Sequence, residues 1–126
     1  MTRPSISQQI TFLHTQNLAE TRHFYEDVLG LLLARDQGSC LIFQVTPHAY
    51  LGFCKHIEPI SPGRRVILTL VSEDIDGWYA VLKAKDQDLS APPQFNPTYQ
   101  IYHFFITDPN GYWIEIQRFN QPLTQN

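Results

Sequence analysis

Two short apolar stretches, residues 100–107 and 111–119, carry the most suggestive chemistry in this chain, because His103 lies on one and Glu115 on the other. Asp108-Pro109-Asn110-Gly111 between them is a strong turn signal, so the stretches read as a β-hairpin. With Thr107 set opposite Gly111, strand alternation predicts His103 across from Glu115 and Phe105 across from Trp113, with Gln117 on the same face. A carboxylate beside an imidazole fixes its tautomer and poises it as a general acid or base. The same two groups could supply two ligands of an atypical metal site. The plainer role is a satisfied His–Glu hydrogen bond in a half-buried sheet.

Such a hairpin needs a larger sheet to hold it. Residues 10–16 read as a strand, with Ile10, Phe12 and His14 on one face. A helix follows, with Asn17 as its cap, Glu20 at the capping-box position and Gly30 as its terminator. Its apolar stripe is Leu18, Phe24 or Tyr25, and Val28. Strands are predicted at about 31–36, 39–45 and 50–56, and residues 57–63, with two prolines and a glycine, read as a linker. The same order then recurs. Residues 66–72 form a strand, Asp74 caps a helix with Ile75, Trp78, Val81 and Leu82 on one face, and 89–97 is a Pro-rich loop with room for a short strand. The hairpin closes the second series. Asn17-Leu18 and Asp74-Ile75 are offset by 57 residues, Pro47/Tyr50 and Pro109/Tyr112 by 62. The chain therefore reads as β-α-β-β-β twice, an internal duplication.

Composition narrows the function classes. The 126 residues carry a formal charge of −3 with no basic run, and Arg64-Arg65 is too small a patch for nucleic acid. At 43% hydrophobic and 13% aromatic residues the chain can fill a core, which excludes a disordered chain. No apolar run approaches the ~18 residues of a membrane span, and the opening residues lack a signal peptide's apolar stretch, so a cytoplasmic location without a membrane partner is expected. GxSxG, Walker, GxGxxG and HExxH motifs do not occur, which leaves acyl transfer, NTP hydrolysis, dinucleotide binding and zincin chemistry without support. Cys40 and Cys54 read as buried thiols, cross-strand neighbours on the helix-packed face. His23, His48 and His56 read as exposed.

The segments NLAETRHFYEDVLGL at 17–31 and DPNGYWIEIQRF at 108–119 resemble the helix and the closing hairpin of the vicinal oxygen chelate superfamily, which includes glyoxalase, bleomycin-resistance and extradiol dioxygenase proteins. The resemblance runs from about residue 8 to 119. It implies an α+β fold in which two βαβββ modules, about 8–56 and 64–119, make a single glyoxalase-like domain, a curved mixed sheet with helices outside and a concave cavity. It does not by itself imply one activity, because the fold hosts many. Metal-dependent members place ligands early on the first strand of each module and on the last strands. Seven residues before Asn17 and Asp74 stand Ile10 and Ile67. Glu115 occupies the last-strand position of the second module, and its first-module counterpart by the 62-residue offset is Phe53, beside Gly52. One carboxylate does not hold a transition metal, so no metal cofactor is expected, with a divalent metal as the less favoured case. The dioxygenase branch usually has a Tyr where Phe105 stands, which argues against that chemistry.

Within this resemblance the cavity would be lined by Phe12, His14, Phe43, Phe105, Trp113 and Gln117, an aromatic wall for a flat or apolar small molecule, with core packing as the plainer role of the rings. The leading expectation is a metal-independent small-molecule binder, similar to the bleomycin-resistance branch. The alternative is a glyoxalase-like lyase or isomerase acting through His103 and Glu115. A homodimer is expected, since short members often build each cavity from two chains.

Overall fold

The computed structural model of the chain describes residues 3–59, 66–89 and 91–123. The linker residues 60–63 and the Arg64-Arg65 pair lie outside them. The chain divides into two compact units, Met1–Arg64 and Arg65–Asn126.

In the first unit, β1 (Gln9–His14) leads into α1 (Leu18–Arg22), which continues as a π-helical turn (His23–Val28), followed by β2 (Leu32–Asp36), β3 (Cys40–Thr46) and β4 (Ala49–Cys54). Asn17 Oδ1 accepts from the Glu20 N–H at 3.0 Å, satisfying one of the helix's orphan donors as its sequence position predicts. The π turn is marked by the Leu29 N–H donating to Phe24 O at 2.9 Å, five residues back. Widening the turn lets both Phe24 and Tyr25, with Val28, face inward, where an α-helix would have favoured one of the two rings. Gly30, at φ +74°, ends the helix in the left-handed conformation that a side chain disfavours. The strands form a four-stranded sheet in the order β1-β4-β3-β2, with β1 parallel to β4 and the other pairs antiparallel. Leu13, Leu41, Phe43, Leu51 and Phe53 point to the helix side and are buried. Tyr25 packs among them, its ring centroid 4.5 Å from that of Phe53 and 5.5 Å from that of Phe43.

The second unit repeats the plan: β5 (Ile67–Val71), α2 (Ile75–Ala84), β6 (Gln94–Asn96), β7 (Ile101–Thr107) and β8 (Trp113–Phe119). Asp74 Oδ1 caps α2 by accepting from the Gly77 N–H at 2.9 Å. The sheet order is β5-β8-β7-β6, with β5 parallel to β8. α2 packs on β7 and β8 with Ile75 and Leu82 buried, as are Phe104, Ile114 and Ile116 of those strands, and Tyr79 meets Phe104 edge-on at 5.4 Å. Val81, expected on the same buried stripe, is 46% exposed, because Ile75, Tyr79 and Leu82 make the helix's contact with the sheet. Each unit thus has the α+β, βαβββ architecture expected, with a helix on one face of a mixed sheet. Among the described residues no helix is long and apolar enough to cross a membrane.

Candidate functional site

The β7–β8 hairpin sets the geometry around Glu115. Thr107 pairs with Trp113, Phe105 with Glu115 and His103 with Gln117, a register two residues away from the one the turn signal suggested. The cause lies in Asp108, which is buried. Its Oδ1 accepts from the backbone N–H groups of Asn110 at 2.9 Å and Tyr112 at 2.8 Å, drawing Gly111 and Tyr112 into the loop and out of the ladder. Two residues is one full period of a strand, so every side chain keeps its face. His103 and Glu115 become diagonal neighbours, and His103 Nδ1 lies 2.6 Å from Glu115 Oε2.

Two further groups converge on the carboxylate. Parallel pairing of β5 with β8 sets Thr69 beside Glu115, and its hydroxyl donates to Oε1 at 2.9 Å. The Gln117 amide, with its nitrogen turned toward the carboxylate as the hydrogen bonding requires, donates at 2.9 Å to Oε1 and 3.1 Å to Oε2. Glu115 thus receives donors from three side chains on its two oxygens, close to the capacity of a carboxylate. The side chains of Glu115 and His103 are 12% and 17% exposed, a setting where an unmatched polar group would be costly. Sequence reasoning missed Thr69; the available signal was that it stands two residues after Ile67 and so shares its strand face.

Aromatic rings stand on the same face. Phe105 meets His103 edge-on at 5.3 Å and Trp113 at 5.8 Å. Beside them opens a cavity of about 590 Å³ lined by Gln87, Asp88, Phe105, Ile106, Thr107 and Trp113. Gln87 and Asp88, which follow α2, were not anticipated as lining residues. The second unit therefore collects His103, Phe105, Trp113, Glu115 and Gln117 on one sheet face.

In the first unit Phe12 and His14 share the sheet face turned away from the helix, and His14 Nδ1 donates to the Ile57 carbonyl at 2.6 Å. Phe43 does not join them. It points to the helix side, fully buried against Tyr25 and Phe53, so its assignment to a cavity wall is corrected to core. The error was one of strand parity, since β3 turns Cys40 and Ile42 to the Phe12 face and Leu41 and Phe43 to the other. Cys40 and Cys54 are cross-strand partners as expected, but they lie on the Phe12 face and are joined by a disulfide.

A family model for the Glyoxalase/Bleomycin resistance protein/Dioxygenase superfamily matches residues 8–116. The chain belongs to this superfamily. Among solved structures it resembles a glyoxalase/bleomycin resistance protein/dioxygenase from Nocardioides (TM-score 0.77, 20% identity, covering 100% of this chain and 92% of that one). It also resembles a lactoylglutathione lyase from Agrobacterium tumefaciens (TM-score 0.72, 19% identity, covering 92% and 96%) and TioX from Micromonospora sp. ML1 (TM-score 0.75, 16% identity, covering 89% and 98%). At these identities the likeness is one of fold. No curated protein sequence matches.

A superfamily metal at Glu115 does not fit the residues present. Superposing the modules by strand pairing makes Gly52, not Phe53, the counterpart of Glu115, because Phe12–Gly52 and Thr69–Glu115 occupy equivalent rungs. Gly52 offers no ligand, and the Phe12 ring lies in the space its Cβ would take. Ile10 and Ile67 are apolar, and among the described residues no third His, Cys, Asp or Glu joins His103 and Glu115. A cation there would also have to displace the three donors already on the carboxylate.

Proposed function

We propose that this chain binds a small, flat molecule with a polar edge at the sheet face of its second unit, without a metal at Glu115. The observation that carries this is the junction at Phe105. On one side lies a cavity of about 590 Å³ walled by Phe105 and Trp113, within the usual size of a small-molecule site. On the other, Phe105 pairs directly with Glu115, whose carboxylate is held by His103, Thr69 and Gln117. Rings suit a flat apolar body, and a pre-ordered polar cluster suits a hydrogen-bonding edge.

One observation favours a second reading, a glyoxalase-like lyase or isomerase. With Nδ1 committed to Glu115, His103 has Nε2 as the nitrogen able to exchange a proton with a bound molecule. The homodimer belongs to the same proposal, since β1 and β5 each expose apolar side chains away from their helices: Ile10, Phe12, Ile67 and Val71.

The test is a screen of flat heteroaromatic compounds by ligand-observed NMR. Compounds that bind the wild-type chain should lose about tenfold or more in affinity, about 1.4 kcal/mol, with Trp113→Ala and with Glu115→Gln. Binders indifferent to both substitutions would place the ligand elsewhere and defeat the proposal. Turnover of a bound compound that disappears with His103→Gln would move the function to the second reading.

A further inference from the structure

Cys40, Cys54 and His56 belong to the first unit and form a side-chain group of their own there. Their donor atoms all lie within 4.8 Å of one another, and Cys40 Sγ is 3.8 Å from His56 Nδ1. Both cysteines are buried and His56 is exposed, so the group has one side toward solvent. The surrounding backbone is tied down. The Gln37 N–H donates to Cys40 O at 2.8 Å, Lys55 N–H to Ser39 O at 3.1 Å and Thr15 N–H to Cys54 O at 3.1 Å.

We infer that, once the Cys40–Cys54 disulfide is reduced, Cys40, Cys54 and His56 bind one thiophilic cation such as Zn²⁺. The spacing supports this. Tetrahedral zinc holds thiolates at about 2.3 Å and imidazole at about 2.0 Å, which sets sulfur and nitrogen ligands about 3.5 Å apart and two sulfurs about 3.8 Å apart. Cys40 Sγ and His56 Nδ1 already stand close to that separation. The two sulfurs need only move apart once their bond is gone, which side-chain rotation supplies on strands paired at a Cα–Cα distance of 4.1 Å. Cys54 and His56 are two residues apart at the end of β4, so one short segment supplies two of the three donors.

The chemistry balances with an external thiol as reductant. A thiolate attacks one sulfur of the Cys40–Cys54 bond, and a second external thiol resolves the mixed disulfide. The protein gains two electrons and two protons, and the external thiols leave as their disulfide. Zn²⁺ then displaces the two cysteine protons as it binds. The disulfide and the metal are therefore mutually exclusive occupants of one site, and metal affinity is gated by the thiol redox state.

The test uses the full chain, reduced with a phosphine and desalted without oxygen, with Zn²⁺ alone as the probe. Elemental analysis should find one zinc per reduced chain and none on the disulfide form, and Co²⁺ in its place should give a thiolate-to-cobalt charge-transfer band. His56→Ala removes an exposed ligand without disturbing the core, and should weaken Zn²⁺ binding by about tenfold or more while both thiols still react with a thiol reagent. Cys40→Ser should abolish retention. A reduced chain with two titratable thiols and no bound zinc would overturn the inference. So would zinc that survives both substitutions, or zinc that is lost instead with Glu115→Gln.

Discussion

His103 and Glu115 sit 2.6 Å apart although neither is the other's cross-strand partner. Phe105 occupies the rung opposite Glu115, and His103 reaches the carboxylate along the diagonal. Diagonal neighbours on a sheet are within reach of long and aromatic side chains, which a ring nitrogen exploits here. The arrangement leaves Phe105 directly between the polar cluster and the cavity it shares with Trp113.

Removing the carboxylate should therefore cost stability as well as recognition. Glu115→Ala leaves His103, Thr69 and Gln117 without their common acceptor in a half-buried setting, at a cost of about 1–3 kcal/mol. Glu115→Gln keeps one acceptor oxygen and should lose less. Urea unfolding at unchanged m-value measures both. An Ala variant as stable as wild type would mean that water replaces the carboxylate without loss and that the cluster does not order this face.

The Asp108 side chain is expected to hold the register that makes the diagonal contact. Asp108→Ala frees the Asn110 and Tyr112 N–H groups inside a buried turn and should destabilise the chain by about 1–3 kcal/mol. Asp108→Asn retains an acceptor oxygen and should recover most of that loss. If Ala and Asn behave alike, the loop is held by its backbone bonds, such as the Asp108 N–H to Tyr112 O contact at 2.9 Å.

Much of this was legible in the chain because the signals were local. Asn17 and Asp74 cap their helices as their positions suggested, and the βαβββ order follows from strand alternation punctuated by Gly and Pro. Pairing His103 and Glu115 on one face was also legible, since a hairpin slip of two residues preserves parity. What failed depended on non-local choices. The face of Phe43 is decided by which side of the sheet the helix covers, and the π turn that buries Phe24 and Tyr25 together breaks the simple 3.6-residue stripe. Thr69 reaches Glu115 only through the parallel pairing of β5 with β8, a contact across 46 residues that no local pattern encodes. Cys40 and Cys54 are cross-strand partners as hairpin register suggests, but the reading as thiols on the helix-packed face fails, because composition gives no sign of the bond and the face depends on where the helix packs.

Phe43 and Phe12 separate core from surface in the first unit. Phe43→Ala empties a fully buried site and should cost about 3–5 kcal/mol, whereas Phe12, 43% exposed, should lose much less on truncation. Gly52→Ala adds a Cβ where the Phe12 ring lies, so it should destabilise the wild-type background and become nearly neutral in a Phe12→Ala background. Additive effects in that double-mutant cycle would show that the ring does not rest on Gly52.

The Tyr102–Asp76 contact gives the second unit a pH signature. The Tyr102 hydroxyl donates to Asp76 Oδ1 at 2.6 Å. That hydrogen bond, then partial desolvation and the Asp76 charge, hold the phenol above its ordinary value, against the opposing charge of Arg118. A proton bound more tightly in the folded chain favours folding. That contribution is complete below the unfolded phenol's pKa of about 10, and it is lost as pH rises from there through the higher folded value. Wild type should therefore lose stability over that alkaline window more steeply than Tyr102→Phe. Ultraviolet titration should show Asp76→Asn returning one phenol toward its ordinary range. A wild-type minus Tyr102→Phe difference titration centred at or below the ordinary tyrosine value would show that the hydrogen bond to Asp76 does not persist in solution.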